Sequence, residues 1–155
     1  MKKLSLIVAT LITLIIFSTE IYLKNLGLGD PIRYDSSIFF GYSPKSNQQK
    51  KRINNSKVTI NDIGLRSIYD WKQIKGKKII FLGDSVTYGG SYIDDKETFV
   101  YLSCKNLKNP QLICGNAGVN AYGIFNIVFR SRYDLRLSDD HLRIFLFYYH
   151  GLLST

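Results

Sequence analysis

An apolar run at the amino terminus restricts the folding of this chain more than any other feature. Residues Leu4–Leu23 form a nearly continuous apolar stretch in which Glu20 is the only charged side chain. A helix of that length rises about 30 Å, which matches the hydrocarbon core of a bilayer. Tyr22 and Lys24 would then lie at the interface, where aromatic and basic side chains are favoured. We therefore expect residues 1–24 to form a transmembrane anchor.

Two other interpretations of this segment stay open. A cleavable signal peptide has the same basic start and apolar core, but Phe17–Glu20 contains no small-x-small cleavage pattern. A buried soluble helix would need a polar face, which this run lacks. Lys2 and Lys3 favour an N-terminus inside the cell and a globular part outside the cytoplasm. The basic residues that follow the helix argue more weakly for the opposite orientation.

The charge of the chain is unevenly distributed. The 155 residues carry a formal charge of +9 and 45% of them are apolar, which excludes a disordered tail, a collagen-like repeat and a disulfide-dense miniprotein. Residues 29–78 account for +7, whereas residues 79–155 have no net charge. The densest basic run, Lys50–Arg52, lies among Asn, Gln and Ser residues in a loop-like segment. Because this run is expected in a loop and not on the docking face of a folded module, we expect no nucleic-acid binding.

Residues 25–76 predict a basic and largely irregular connector. Pro, Gly, Asn and Ser are frequent over residues 25–56 and periodicity is weak there, so one short strand is expected in that part, around Ile38–Tyr42. Val58–Ile60 predicts a further short strand, and Asn61–Gly64 predicts the turn that follows it.

The two cysteines, Cys104 and Cys114, are ten positions apart. This spacing is typical neither of a metal site nor of a redox CxxC motif. We expect two separate buried thiols, with a disulfide in an exported domain as the alternative. We expect no metal site and no cofactor.

Strands and helices alternate from Lys77 onward, because continuous apolar runs alternate with apolar residues at helical spacing. The predicted strands are Lys78–Leu82, Gln111–Cys114 and Leu142–Tyr149. The predicted helices are Thr98–Leu107 and Ile124–Leu135, and a turn is expected at Ser138–Asp140 before the third strand. Phe99, Leu102 and Leu107 are spaced to share one face of the first helix. Such alternation is typical of right-handed βαβ units in a parallel sheet, whose first and third strands should be neighbours. Ligands bind beyond the carboxyl ends of such strands, where loops 83–90 and 115–123 both lie.

Ser85 is the candidate nucleophile. It follows a buried strand through Gly83-Asp84 and stands near the start of the next helical segment, where backbone N–H groups favour developing negative charge. The alternative is that Asp84 or Ser85 is only a helix N-cap. Residues 83–90 lack the Lys-Ser/Thr ending of a P-loop and the GxGxxG spacing, and Thr87 replaces the second glycine of a GxSxG elbow.

These residues resemble a known family. Ile79–Gly89, with Gly83-Asp84-Ser85 after the strand, resembles the first block of the SGNH, or GDSL, hydrolases. Asn116–Gly123 is similar to the second block of that family. Asn61–Arg66 is similar to the lead-in found in its membrane-anchored members. The likeness covers about residues 30–150 and is sharpest over residues 77–123.

The resemblance implies a flavodoxin-like, three-layer parallel sheet and ester hydrolysis or acyl transfer, with Ser85 as nucleophile. The family takes oxyanion donors from the serine N–H, a second-block glycine N–H and a third-block asparagine. The place of that glycine falls on Ala121, which keeps the N–H and adds a methyl group. The neighbouring motif residues assigned to binding are Gly83, Asp84, Asn116 and Gly118.

The chain departs from the family pattern after the third predicted strand. Gly151 matches the third block but no asparagine follows it, and the family's Asp-x-x-His has no counterpart. We therefore expect an incomplete sheet over residues 77–155, whose missing half leaves a bare apolar edge that favours self-association. His141 enters the third strand at the edge opposite Ser85 and is expected to be a solvated turn residue. His150 leaves that strand at the same edge as Ser85 and is the candidate base.

Besides a cationic membrane-surface or nucleic-acid protein that would use residues 45–57, the sequence leaves two functions open. The first is a membrane-anchored SGNH-type esterase or O-acyltransferase whose substrate is an acylated small molecule or an envelope glycan, impaired by the missing blocks. The second is a non-catalytic, membrane-anchored remnant or binding module. We expect the membrane and the acylated substrate to be the partners of the chain, with its globular part outside the cytoplasm.

Overall fold

The computed structural model describes residues 2–109, 111–133, 135 and 142–145. Helix α1, Lys2–Asn25, spans about 36 Å at the usual rise per residue and exposes its apolar side chains. Three threonine hydroxyls on it donate to carbonyls four residues back, so these polar groups are satisfied within the helix. By length and composition α1 is suited to cross a membrane, a property that an N-terminal signal sequence shares.

Two antiparallel hairpins follow where an irregular connector was expected. Strands β1, Tyr34–Ser37, and β2, Gly41–Pro44, form the first, and strands β3, Gln48–Lys51, and β4, Lys57–Ile60, form the second. The strand expected at residues 38–42 is wrong for its first three residues, and only Gly41 and Tyr42 of it lie in a strand, β2. Residues 38–40 form the turn of the first hairpin, which Gly41 closes with a φ of 87°.

The basic run at residues 50–52 does not form the expected loop. Lys50 lies in β3, buried, and its ammonium group is 2.6 Å from the carboxylate of Asp30. Strand β4 confirms the prediction at Val58–Ile60, and the turn that was predicted after it is also present.

The parallel sheet predicted after Lys77 is confirmed. Strands β5, Lys77–Gly83, β6, Leu112–Gly118, and β7, Leu142–Phe145, pair in the order β6-β5-β7, so the first and third strands are neighbours as expected. Strand β6 runs four residues further than predicted, because its pairing with β5 continues until Gly83 lies opposite Gly118. The predicted turn at Ser138–Asp140 and the end of the third strand lie outside the described residues.

Three helices accompany the sheet: α2, Ser85–Tyr88, α3, Phe99–Asn106, and α4, Ile124–Tyr133. Short 3-10 helices occur at Ile53–Asn55 and Asp95–Glu97. The threonine before α3 caps it, accepting a hydrogen bond from the Tyr101 N–H. The face predicted for α3 is wrong: Phe99, Leu102 and Leu107 are all more than one-third exposed, and Val100 is buried instead.

Apolar clusters lie on both faces of the sheet, because alternate residues of a strand point to opposite sides. Ile79 and Phe81 pack with Val100 of α3 on one face. Ile80 and Leu82 pack on the other face with Ile127 of α4, in a cluster that includes Leu65 and Trp71. The cluster on this second face draws residues from the 25–76 segment, so that segment packs into the same core as the sheet.

The two cysteines form a disulfide, which corrects the expectation of separate thiols. Cys104 in α3 and Cys114 in β6 have Cα atoms 5.9 Å apart, within the range that a disulfide requires. The bond joins the helix to the strand on which it packs. Spacing in the sequence did not indicate the pairing, because it is the packing of α3 on β6 that brings the thiols together.

Candidate active site

Ser85 lies at the carboxyl edge of the parallel sheet. It is the first residue of α2, separated from the end of β5 by Asp84 alone, and it is exposed. The carboxylate of Asp84 accepts a hydrogen bond of 2.9 Å from the Val86 N–H, so Asp84 is the N-cap. Gly89, with a φ of 84°, ends the helix after one turn. Because α2 is so short, its dipole adds little to the stabilisation of negative charge at Ser85.

The loop after β6 lies beside this turn. The Val119 N–H donates to the Gly83 carbonyl, and Gly118 is the partner of Gly83 in the sheet register. Ala121 has a φ of 60°, in the left-handed region where glycine is favoured. Ala121, whose backbone N–H is the predicted oxyanion donor, thus has a glycine-like conformation. The residue is exposed, and its loop is hydrogen-bonded to the end of β5.

Gly118 and Asn116 fix the distance between the two loops. A Cβ added to Gly118 would lie 2.2 Å from the backbone nitrogen of Tyr88, so no other residue fits there without movement. The buried Asn116 amide donates to the Thr87 carbonyl at 2.6 Å, and its oxygen accepts from the Gly118 N–H at 2.9 Å. Of the predicted binding residues, these two thus hold α2 against β6.

Arg66 is the residue of this region that the sequence analysis missed. Its Nε lies 3.0 Å from a carboxylate oxygen of Asp95, and its Nη1 and Nη2 donate to the carbonyls of Tyr88 and Ile93. Its backbone bridges Ile60 of β4 and Asn116 of β6. The side chain is almost completely buried, so the guanidinium organises the segment that follows α2 from inside the fold.

Asp95 opposes Arg66 in this buried pair. Burial raises the pKa of its carboxyl group, while hydrogen bonds from Thr59 and the charge of Arg66 act in the opposite direction. Its second oxygen accepts a 2.9 Å hydrogen bond from the Thr59 N–H. Asp95 therefore ties β4 to the segment after α2 through Arg66.

The segment from Asn61 to Arg66, which resembles the family lead-in, makes a compact turn. The Asn61 side-chain oxygen accepts from the N–H groups of Ile63 and Leu65, and Gly64 has a φ of 76°. Arg130 of α4, fully buried, donates from Nη1 to the Ala117 carbonyl at 2.9 Å and from Nη2 to the Gly64 carbonyl at 2.8 Å. Arg130 thus links this turn to β6.

The first hairpin supports the loop that carries Ala121. The Tyr42 hydroxyl donates to the Asn120 carbonyl at 2.6 Å, and the Tyr122 hydroxyl donates to the Tyr42 carbonyl. Tyr34 stacks edge-on against Tyr42, and burial raises its pKa to about 12. No periodic pattern in the sequence indicated this contact, because its partners stand about 80 positions apart.

The remaining predicted residues do not enter this geometry. His141, His150 and Gly151 lie outside the described residues, so the described part of the chain contains no histidine. In that part, no hydrogen bond joins the Ser85 hydroxyl to another residue, and no three His, Cys, Asp or Glu side chains gather as metal ligands would. The two loops predicted to meet at one sheet edge do meet there.

A separate cavity of about 350 Å³ lies beside the disulfide, lined by residues that include Tyr101, Lys108 and Leu112. It is at the start of β6 and therefore at the sheet edge opposite Ser85. A scan against models of known protein families found no match to the chain, and searches of curated proteins and of solved structures found none either.

Proposed function

We propose that the chain is an SGNH-type serine hydrolase or acyltransferase that acts on ester bonds, with Ser85 as its nucleophile. The observation that carries the proposal is the placement of an exposed serine directly after a buried parallel strand, with the Gly118–Ala121 loop packed beside it. Backbone N–H groups in such a place stabilise the oxyanion that forms when a hydroxyl attacks an acyl carbon. The three-stranded sheet is then part of a flavodoxin-like sheet.

In this reaction the Ser85 oxygen bonds to the acyl carbon and the alcohol part of the ester leaves. The Ser85 proton passes through a base to the leaving alcohol, and water or an acceptor hydroxyl then releases the acyl group. We propose His150 as that base: Phe145, the last described residue of β7, is the partner of Leu82 near the edge where Ser85 lies, and His150 follows five positions later in the sequence. The N–H groups of Ser85 and Ala121 are the proposed oxyanion donors.

The disulfide supports a location outside the cytoplasm. Disulfides persist in oxidising compartments and are rare where thiols are kept reduced. With α1 retained as an anchor, the domain would act at the outer side of the membrane. Acylated glycans and other esters of the envelope are the substrates that we propose for such a place.

One observation favours the second candidate, a membrane-anchored binding module without catalytic activity. The Ser85 hydroxyl has no hydrogen-bond partner in the described part of the chain, whereas an activated serine needs a base within reach. Under this alternative the same sheet edge binds an acylated ligand and leaves it intact.

Ester turnover by the purified full chain distinguishes the two candidates. We expect the chain to hydrolyse a short-chain aryl ester and the Ser85→Ala variant to fall to the rate of the buffer. Ser36→Ala, which changes an exposed serine in β1, is the matched control and should keep full activity. Equal rates for the Ser85→Ala variant and the wild type would reject Ser85 as nucleophile and leave the binding module.

A further inference from the structure

The end of α1 packs against the turn between β3 and β4. Gly27, with a φ of 81°, packs so closely on this turn that an added Cβ would lie 2.3 Å from the Arg52 carbonyl carbon. Three residues later Asp30 pairs with the buried Lys50, and the Lys50 nitrogen is 2.6 Å from the nearer oxygen. The β3–β4 turn therefore has a fixed position at the end of the apolar helix.

This junction has an open apolar surface. A cavity of about 280 Å³ lies between the two segments, lined by Asn25, Leu26, Leu28, Ile53, Asn54 and Asn55. The three large apolar side chains among them, Leu26, Leu28 and Ile53, are each more than 40% exposed. Apolar side chains grouped at the end of a helix suited to a membrane are placed where acyl chains meet headgroups.

The same junction carries basic side chains, Lys51, Arg52 and Lys57, that form no ion pair in the described part of the chain. Lys51 and Lys57 are direct partners across the β3–β4 pair, and both are exposed, so their repulsion destabilises the hairpin. The Nε and Nη1 atoms of Arg52 are shielded from water and have no hydrogen-bond partner in the described part of the chain. An unpaired guanidinium is costly, and a phosphate matches its fork of donors.

We propose that the junction of α1 and the β3–β4 turn is a binding site for anionic phospholipid. The lipid phosphate offsets the repulsion between Lys51 and Lys57, and it accepts hydrogen bonds from Arg52 once this half-buried side chain turns outward. The acyl chains follow Leu26, Leu28 and Ile53 toward α1. The inference rests on the part of the proposed function that retains α1 in the membrane, and it is independent of the role of Ser85.

The first hairpin offers an internal control for this site. Asp30 lies beside Lys50 and Arg33 lies beside Gln48, so the segment leading to the first hairpin runs antiparallel to β3. The two hairpin turns therefore point in opposite directions. Ile38, at the turn of the first hairpin, is 94% exposed and should stay in water when Ile53 is at the bilayer.

The test uses the full chain in liposomes of phosphatidylcholine, with or without phosphatidylglycerol. Ile53→Cys and Ile38→Cys are each labelled with an environment-sensitive fluorophore; the native cysteines are joined in the disulfide, so only the introduced thiol reacts. We expect iodide in the aqueous phase to quench the label at position 53 several-fold less than the label at position 38. Phosphatidylglycerol should increase this protection.

Two charge variants test the ligand chemistry on the Ile53→Cys background. Arg52→Gln, and Lys51→Gln combined with Lys57→Gln, should abolish the added protection by phosphatidylglycerol. Lys77→Gln, an exposed basic residue at the start of β5, should leave it unchanged. Retention of the disulfide in each variant shows that α3 and β6 are assembled.

The possible failures have different meanings. Equal quenching at the two positions, greater protection at position 38, or no effect of phosphatidylglycerol overturns the lipid site even when the protein floats with the liposomes. Protein that does not float with the liposomes overturns the lipid site together with the proposed membrane anchoring. Neither outcome bears on the proposed ester hydrolysis by Ser85.

Discussion

Arg66 and Asp95 are a buried ion pair whose guanidinium also donates to the backbone around the candidate site. A paired charge in the interior is tolerated because each partner compensates the other, and loss of one leaves the second desolvated and unpaired. Both side chains are at most 4% exposed. We therefore expect substitution of either residue to destabilise the segment that follows α2 more than other single substitutions would.

We expect Arg66→Met to lower the free energy of unfolding by about 3–5 kcal/mol, because it strands the Asp95 carboxylate. The double variant Arg66→Met, Asp95→Asn should lose less than the two single variants together. Arg33→Met, at an exposed position, is the control and should change stability by less than about 0.5 kcal/mol. Denaturant unfolding measures the stability of the two single variants, the double variant and the Arg33→Met control. A loss in the double variant equal to the sum of the two single losses would contradict the coupling.

Asp94 gives a prediction about pH. A hydrogen bond from the Lys96 backbone N–H, with a smaller contribution from that of Lys57, lowers the pKa of its carboxyl group. The native state therefore binds this proton less readily than the unfolded state does, and the resulting stability is complete above the unfolded pKa of about 4. It is lost as the pH falls through the native pKa.

Asp94→Asn keeps a capping oxygen but has no titrating charge. The wild type should therefore exceed this variant in stability at neutral pH, and the difference should shrink as the pH falls below about 4. Denaturant unfolding at several pH values measures the difference. A gap that does not change with pH would contradict the assigned role of the Asp94 charge.

The sequence predicted the position of some functional residues in the fold and missed that of others. The position of Ser85 followed from an apolar strand that ends in Gly-Asp, which is a local pattern. Arg66 was missed because its partners stand 22 to 29 positions further along the chain. No local pattern distinguishes an arginine that will be buried from one that stays in water.

At the scale of elements, the contact between α2 and β6 brings the two loops together. Gly118→Ala should lower the free energy of unfolding by about 1–3 kcal/mol, because its methyl group overlaps backbone atoms of Thr87 and Tyr88. It should also reduce ester turnover by displacing α2. Gly123→Ala is the matched control, since its Cβ would meet only the Asn126 side chain, at 3.5 Å. Equal effects of the two variants would contradict the packing described.

The disulfide gives a prediction for α3 and β6. Replacing Cys104 and Cys114 together by serine should lower the free energy of unfolding by about 3 kcal/mol, as expected for closing a loop of this length. The measurement is denaturant unfolding of the variant and of the oxidised wild type. Unchanged stability would show that the bond does not constrain the unfolded chain.

Parallel strands were predictable because burial on both faces leaves a continuous apolar run. Strand β3 was not, because the residues that it buries are Gln48 and Lys50 and its exposed ones are also polar. The side chains of β3 alternate between buried and exposed, but because all of them are polar the sequence shows no alternation of apolar and polar residues. The Lys50 ammonium group is satisfied by Asp30, 20 positions away, and the Gln48 amide by backbone carbonyls of Arg33, 15 positions away, and of Lys45, three positions away. The two more distant partners give no local sequence signal.

At the scale of the whole molecule, part of the excess positive charge lies next to the end of the apolar helix α1. The excess of +7 in residues 29–78 includes the basic cluster at the end of α1, which suits an anionic bilayer surface. The helix was predictable from composition alone, whereas its attachment to the β3–β4 turn depends on Gly27 and on the Asp30–Lys50 pair. The three-dimensional position of the charge therefore required the fold.

Covalent labelling of Ser85 tests the central claim most directly. The full chain is treated with a fluorophosphonate, which reacts with activated serines, and the product is examined by intact mass and peptide mapping. We predict one adduct at Ser85 in the wild type and none in the disulfide-bonded Ser85→Ala variant. An adduct that persists in that variant, or a folded wild type that acquires none, would contradict the assignment of Ser85 as the nucleophile.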